Sequence, residues 1–343
     1  MSLRSGTVVQ TLKLVARCAI LVGLCTNAAA IDVTTELALI AGGEGGTYYN
    51  VGQDLKKLAS AGGINLTVYT SNGSMDNVVA VIQKPTIHLG IVQSDVLSLV
   101  NDVSARTPLR QLGNNSLRVV FPLHTEEVHV IGRRGLRDFV DLNDRRVAIG
   151  PEGSGMHLTA RNLFNLAAVR PREILSVGIV EALNQLRTGR VDALVYVAGS
   201  PIALLRERIA AADGLVLLPV SDQRVLEAYD MVEIPGGTYP WQATPVKTVL
   251  VKAVLVTSHR DGGNCETIAR FAQQIVNGMP WLRQHGHPKW NTVDLNYRLK
   301  GWEQYDCVSS YLARSRNDAS MPAASPDDHN PIFEAIRDFL GRD

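Results

Sequence analysis

The sequence predicts an α/β fold of two lobes around a central cleft. Three observations carry this prediction. Short apolar runs alternate with stretches of helical period along most of the chain, the pattern of a largely parallel sheet flanked by helices. Four turns rich in glycine or hydroxyl residues lie where a strand gives way to a helix, the end of the sheet at which such proteins place ligands. Three of these turns come from the first hundred residues and one from the middle of the chain. A site they share lies between two bodies, and 343 residues are enough for two cores.

Leu37–Ala41 is an apolar run bounded by glycine and reads as a buried strand. Gly42, Gly43, Gly45 and Gly46 form a tight turn. From Thr47 the period changes, with Tyr48, Val51, Leu55 and Leu58 on one helical face. The free N–H groups at that helix start, with the helix dipole behind them, suit an anion. A second unit follows: strand Asn65–Thr70, a polar turn to Ser74, and a helix carrying Met75, Val78, Val79 and Ile82, with Ser74 as its N-cap. A third strand, Ile87–Val92, is closed by Gln93-Ser94-Asp95 before a helix from Val96.

Leu117–Leu123 and Val128–Ile131 read as two separate strands, with a short amphipathic piece at Phe139–Leu142. Val147–Ile149 ends in Gly150-Pro-Glu-Gly-Ser-Gly155, and Leu158, Leu163, Phe164 and Ala167 continue as the fourth unit. Beyond it, strands are expected at Val177–Ile179, Asp192–Val197, Leu215–Leu218 and Thr248–Thr257, the last the strongest in the chain. Helices are expected at Glu181–Thr188, Ile202–Ile209, Val225–Tyr229 and Cys265–Met279, the last stopping before Pro280. Past Pro280 the chain reads as irregular and tryptophan-rich, with a linker at Ala319–Asn330 and a short helix at Ile332–Leu340.

Residues 1–30 read as a secretory signal peptide. Arg4, Lys13 and Arg17 precede or flank an apolar run, Cys18–Leu24, and Ala28-Ala29-Ala30 offers a small-residue cleavage site. The run is too short for a membrane anchor, which needs about 20 residues. The leader holds three of the 34 basic residues and none of the 33 acidic ones, leaving 31 against 33, a balance of −2. Such a balance gives no footprint for nucleic acid. Cys265 and Cys307 remain after cleavage and fit a disulfide in an oxidising compartment; the alternative is two buried thiols.

Common chemical motifs fail on their spacing. From Gly43 the dinucleotide fingerprint meets Tyr48 at its last glycine, and Met156-His157 follow Gly155 where a P-loop requires Lys and Ser/Thr. Glu152 and Met156 occupy the two glycine places of a nucleophile elbow around Ser154. His285 and His287 lack a matched carboxylate cluster. No catalytic residue, cofactor or metal is therefore expected. Tyr49 lies off the core face of its helix, where it either contacts a ligand or packs locally.

Several of these pieces, in register, resemble one family. They are Gly42-Gly-Glu-Gly-Gly-Thr-Tyr-Tyr49 with Gly52, Thr70-Ser-Asn-Gly-Ser-Met-Asp-Asn77 and Gly90-Ile-Val-Gln-Ser-Asp95. Asp141–Gly150 with Gly153-Ser-Gly155, Gly189–Ala193 and Tyr196–Pro201 continue the series. Over roughly residues 35–280 the chain is similar to the TAXI class (TRAP-associated extracytoplasmic immunogenic proteins), the solute receptors of TRAP transporters. The resemblance implies a two-lobe periplasmic binding protein of type II, a Venus flytrap with a hinge, placed near 131–134 and 239–248. Lobe I would comprise 31–132 and 241–318, lobe II 133–240, with 319–343 a linker and helix. It implies a small organic anion as ligand, a glutamate-like amino acid or a dicarboxylate, and a membrane TRAP permease driven by an ion gradient as partner. By motif position Gly46, Thr47, Tyr48, Tyr49, Ser74, Asn77, Gln93, Asp95, Ser154 and Gly155 would line the cleft. Glu44 departs from the glycine turn's usual neutrality: it repels a second carboxylate, pairs with a ligand ammonium, or faces solvent. Rival readings are a ligand sensor of the same fold and an enzyme on it.

Overall fold

A computed structural model describes residues 35–106, 117–259 and 264–319. The expected leader, linker and terminal helix lie outside these residues. The elements run β1 (Thr35–Ile40), α1 (Thr47–Ala61), β2 (Ile64–Tyr69), α2 (Ser74–Gln83), β3 (Leu89–Gln93), α3 (Ser94–Arg106), β4 (Leu117–Arg133), β5 (Arg146–Ile149), α4 (Gly155–Leu166), β6 (Glu173–Ser176) and α5 (Ile179–Arg187). There follow β7 (Ala193–Ala198), α6 (Ala203–Arg208), β8 (Leu215–Leu218), α7 (Gln223–Ala228), β9 (Asp230–Ile234), β10 (Val246–Ser258), α8 (Cys265–His285) and α9 (Asp306–Ala319). The strands form one mixed sheet in the order β2-β1-β3-β10-β4-β7-β5-β6, with β8 on β4 and β9 on β10.

Two long antiparallel strands, β4 and β10, run through both lobes. Residues 117–127 of β4 pair with 250–258 of β10, and β10 also pairs with β3. Beyond Glu127 the partners change: β4 continues beside β7 and β8, while residues 246–250 of β10 pair with β9. The cores change with them. Val120, Phe121, Leu123, Ala253 and Leu255 face one core, built with α1 and α8. Val128, Val130, Val249 and Val251 face another, built with α4. Between the two sets β4 presents His124, Thr125, Glu126 and Glu127, and β10 presents Lys252.

The sheet is therefore not parallel throughout: β1–β3 and β5–β7 are, but the strands that cross between lobes are not. The two strands expected at 117–123 and 128–131 are one, because the four polar residues between them mark the gap between cores and not a turn. Pro122 is accommodated beside a register shift opposite Lys252–Val254. The strand expected at Val177–Ile179 lies earlier, at β6, an outer strand with little burial and hence no clear alternation. α8 continues through Pro280 to His285, since Met279, Trp281 and Leu282 extend its buried face and outweigh one missing N–H. The segment expected to be irregular includes α9, whose Val308 and Leu312 join the same core. Cys265 and Cys307 are joined by a disulfide with Cα atoms 5.7 Å apart, tying α9 to the start of α8.

The crossing point is held from the C-terminal arm. Lys289 Nζ lies 2.6 Å and 2.9 Å from the two carboxylate oxygens of Glu127, and the Ser200 N–H donates to Glu127 at 2.6 Å. Both side chains are buried, at 5% and 8% exposure. His129, two residues on, bonds the Glu127 carbonyl through Nδ1 at 2.9 Å and Tyr239 Oη through Nε2 at 2.8 Å. A buried pair of this kind is costly to break from one side, since the remaining charge has no water. Lys289→Met is expected to lower the unfolding free energy by about 3–5 kcal/mol. The double variant Lys289→Met with Glu127→Leu should recover most of that loss in urea titrations; single-variant stability equal to wild type would sink this account.

Candidate functional site

Three helix starts meet at one cavity. α1 begins after Gly46, which caps it without a side chain, and Gly45 takes φ +82° to make the turn. α2 begins at Ser74, whose Oγ accepts from the Gln93 N–H at 3.0 Å and so fixes the end of β3. α4 begins after Ser154, whose Oγ accepts from the His157 N–H at 3.2 Å. The space between them, partly open to solvent, is about 100 Å³, several times what one water needs. Its walls are Gly42, Gly43, Gly46, Thr47 and Tyr48 from the first turn, Asn72–Ser74 from the second, and Ser154–Met156 from the third. Gln93, Glu126 and Tyr196–Ala198 complete it. The N–H groups of Thr47, Tyr48, Gly155 and Met156 have no acceptor among the described residues.

The lobes are closed over this space. The Met75 and Asp76 N–H groups at the start of α2 both donate to Gly153 O, at 3.1 Å and 3.2 Å. Gly155 packs directly on Gln93 and Ser74; a Cβ there would fall 1.7 Å from Gln93 Oε1. Farther out, Thr159 Oγ1 donates to Asp95 at 2.7 Å and Tyr229 Oη at 3.2 Å, bridging α3, α4 and the end of α7. Packing around Asp95 raises its pKa, while these two bonds oppose the rise.

The cavity holds one carboxyl group and no Lys or Arg among its lining residues. Glu126 is 3% exposed and accepts from Tyr48 Oη at 2.7 Å. Burial pushes it up to about 8, against the hydrogen bonds from Tyr48 and the Gln93 side chain. The neighbouring Glu127 lies on the other side of β4 and takes Lys289 to itself. Tyr48 is raised by burial and then by the charge of Glu126, and Tyr196 is pushed up to about 12 by the same two causes. Gln93 is 3% exposed and its Oε1 has no donor. Among the described residues no group of three His, Cys, Asp or Glu could hold a metal ion.

The model of the NMT1-like family matches residues 39–262. The chain belongs to that family. No curated protein matches it. Among solved structures, Tv2483 bound to L-arginine is 13% identical, over 78% of this chain and 96% of that one, with a TM-score of 0.49. A protein from Bordetella bronchiseptica RB50 is 14% identical over 88% of both chains, with a TM-score of 0.49. The substrate-binding protein of an amino acid ABC transporter is 13% identical over 75% and 96%, with a TM-score of 0.44.

Within the span matched by the NMT1-like family, Gly46, Thr47, Tyr48, Ser74, Gln93, Ser154 and Gly155 all line the cavity. Four other residues expected there do not. Asn77 is spent on structure, its Nδ2 donating to Ala41 O and Ile91 O at 2.7 Å each. Asp95 turns to the outer bridge with Thr159 and Tyr229, Tyr49 is half-buried outside the lining, and Glu44 is exposed on an adjoining hollow with Asn72 and Asp76. The residue sequence reasoning missed is Glu126. Its signal was present, as two adjacent glutamates inside an otherwise apolar run, but a polar break there reads as a turn.

A raised carboxyl pKa has a fixed sign. Between the ordinary 4.5 and about 8, folded Glu126 keeps a proton that the unfolded chain loses, so stability falls as pH rises through that window. His129, pushed down to about 4 by burial, acts oppositely below pH 6.5. Ligand-free protein should therefore lose about 1–2 kcal/mol between pH 6.5 and 8, and Glu126→Gln should flatten that slope. Urea midpoints at both pH values in both proteins give the comparison; identical slopes would mean that Glu126 is not protonated in the fold.

Proposed function

We propose that this chain is a substrate-binding receptor that captures a small organic anion, a glutamate-like amino acid or a dicarboxylate, between its lobes. The carrying observation is the cavity between the lobes onto which three helix starts open, two of them, α1 and α4, with unbonded N–H groups, and no basic side chain among its lining residues. Each start favours a negative charge by about 0.3–1 kcal/mol, more when water is excluded. Backbone donors hold a carboxylate without a buried cation, which suits capture followed by release. The hinge in this reading is the stretch of β4 and β10 between the cores, 124–127 with Lys252, instead of 131–134 and 239–248, whose Ile131, Tyr239 and Val246 pack inside the second lobe. The resemblance to TAXI-class receptors supports a periplasmic location after removal of residues 1–30, and delivery to an ion-gradient-driven TRAP permease.

Thermal unfolding against a panel of organic acids and amino acids tests the reading. A ligand at 100 times its dissociation constant should stabilise the protein by about 2.7 kcal/mol. Ser154→Ala and Ser74→Ala should reduce the shift, because each loosens one helix start at the cavity. No shift with any anion, in protein shown to be free of carried-over ligand, would overturn it.

A further inference from the structure

The cavity has two chemically distinct sides. One offers the N–H groups at the starts of α1 and α4. The other offers the Glu126 carboxyl, which accepts from Tyr48 Oη and lies beside the Gln93 amide, and the Oε1 of Gln93, which has no donor among the described residues. Glu126 and Gln93 are each 3% exposed and both line the cavity. An unpaired buried acceptor beside a buried carboxyl is costly in the empty protein. A ligand ammonium brings three donors and a positive charge to that side.

We infer that Glu126, with Gln93 and Tyr48, is the binding site for the ammonium group of the ligand, which is therefore an α-amino acid and not a dicarboxylate. This rests on the receptor reading above and narrows it. The role considered for Glu44 falls to a residue on the cavity floor, since Glu44 is exposed outside it. The groups facing Glu126 are Tyr48 from α1, Gln93 at the end of β3, Tyr196 from β7, and Glu127 with its partner Lys289. Lys289 is held by Glu127, and no Lys or Arg lines the cavity beside Glu126. Arrival of an ammonium ionises Glu126 and releases its proton. A dicarboxylate is held, instead, only while Glu126 stays protonated as a donor, and releases none.

Titration calorimetry on the protein at pH 7 separates these cases, with glutamate and other α-amino acids against 2-oxoglutarate and glutarate. Runs in two buffers of different ionisation enthalpy count protons. The expected result is binding of an amino acid with release of about one proton, and at least a tenfold affinity loss with loss of proton release in Glu126→Gln. The proton count on the unmodified protein serves even if that variant folds poorly. Binding of 2-oxoglutarate or glutarate as tight as that of any amino acid, without proton release and undiminished in Glu126→Gln, overturns the inference and leaves the receptor reading standing. Binding by neither class overturns the receptor reading itself.

Discussion

Two cores share two strands, and the rest of the molecule follows from that constraint. A strand that serves one core and then another must cross a short gap in which its side chains face neither. On β4 the gap is His124–Glu127, and on β10 it is Lys252. Polar groups are tolerated there because they are not competing with leucine for core volume, but they are still out of water. Each needs a partner, and Lys289, next to Trp290 of the first core, supplies one for Glu127. The gap is at once the place where the lobes join and the floor of the cavity between them.

The two adjacent glutamates show how far a one-residue step along a strand changes chemistry. Successive side chains point to opposite faces. Glu127 meets an ammonium, a hydroxyl and a backbone N–H and is fully engaged. Glu126 meets a phenol and the Gln93 side chain at the cavity wall. With the same side chain and comparable burial, one becomes a structural anion and the other an unspent acceptor. The helix starts across the cavity carry the complementary partial charge, so the space is polarised from one wall to the other.

Much of this architecture is legible in the sequence where a local pattern has a local cause. The glycine turn before α1, Ser154 as a cap and the valine-rich β10 all read directly, because turn chemistry, capping and burial each leave a mark within a few residues. Seven of the expected cleft residues line the cavity for the same reason. What stays hidden depends on distant partners. Nothing near Asn77 announces that it will tie Ala41 to Ile91, and nothing near Asp95 announces Thr159 and Tyr229. Pro280 is a sound local stop signal that tertiary packing overrules. Glu126 fails to stand out because a polar interruption has two physical causes, a turn or a crossing between cores, and only the fold distinguishes them.

The route of the chain through the two lobes also fixes an order of assembly. Most of the second core comes from one continuous run, 128–251, whose parts meet as soon as that run exists. The first core draws on both ends, from Leu37 to Leu312, and β3 finds its second neighbour only when β10 has been made. Lys289, between the two bridged cysteines, arrives later still. A growing chain thus holds every residue of the cavity wall once Ala198 is made, but carries an unfinished lobe and a joint without its counter-charge until Lys289 follows. The residues that would meet a ligand are made long before the helices and the lysine that hold the two lobes together.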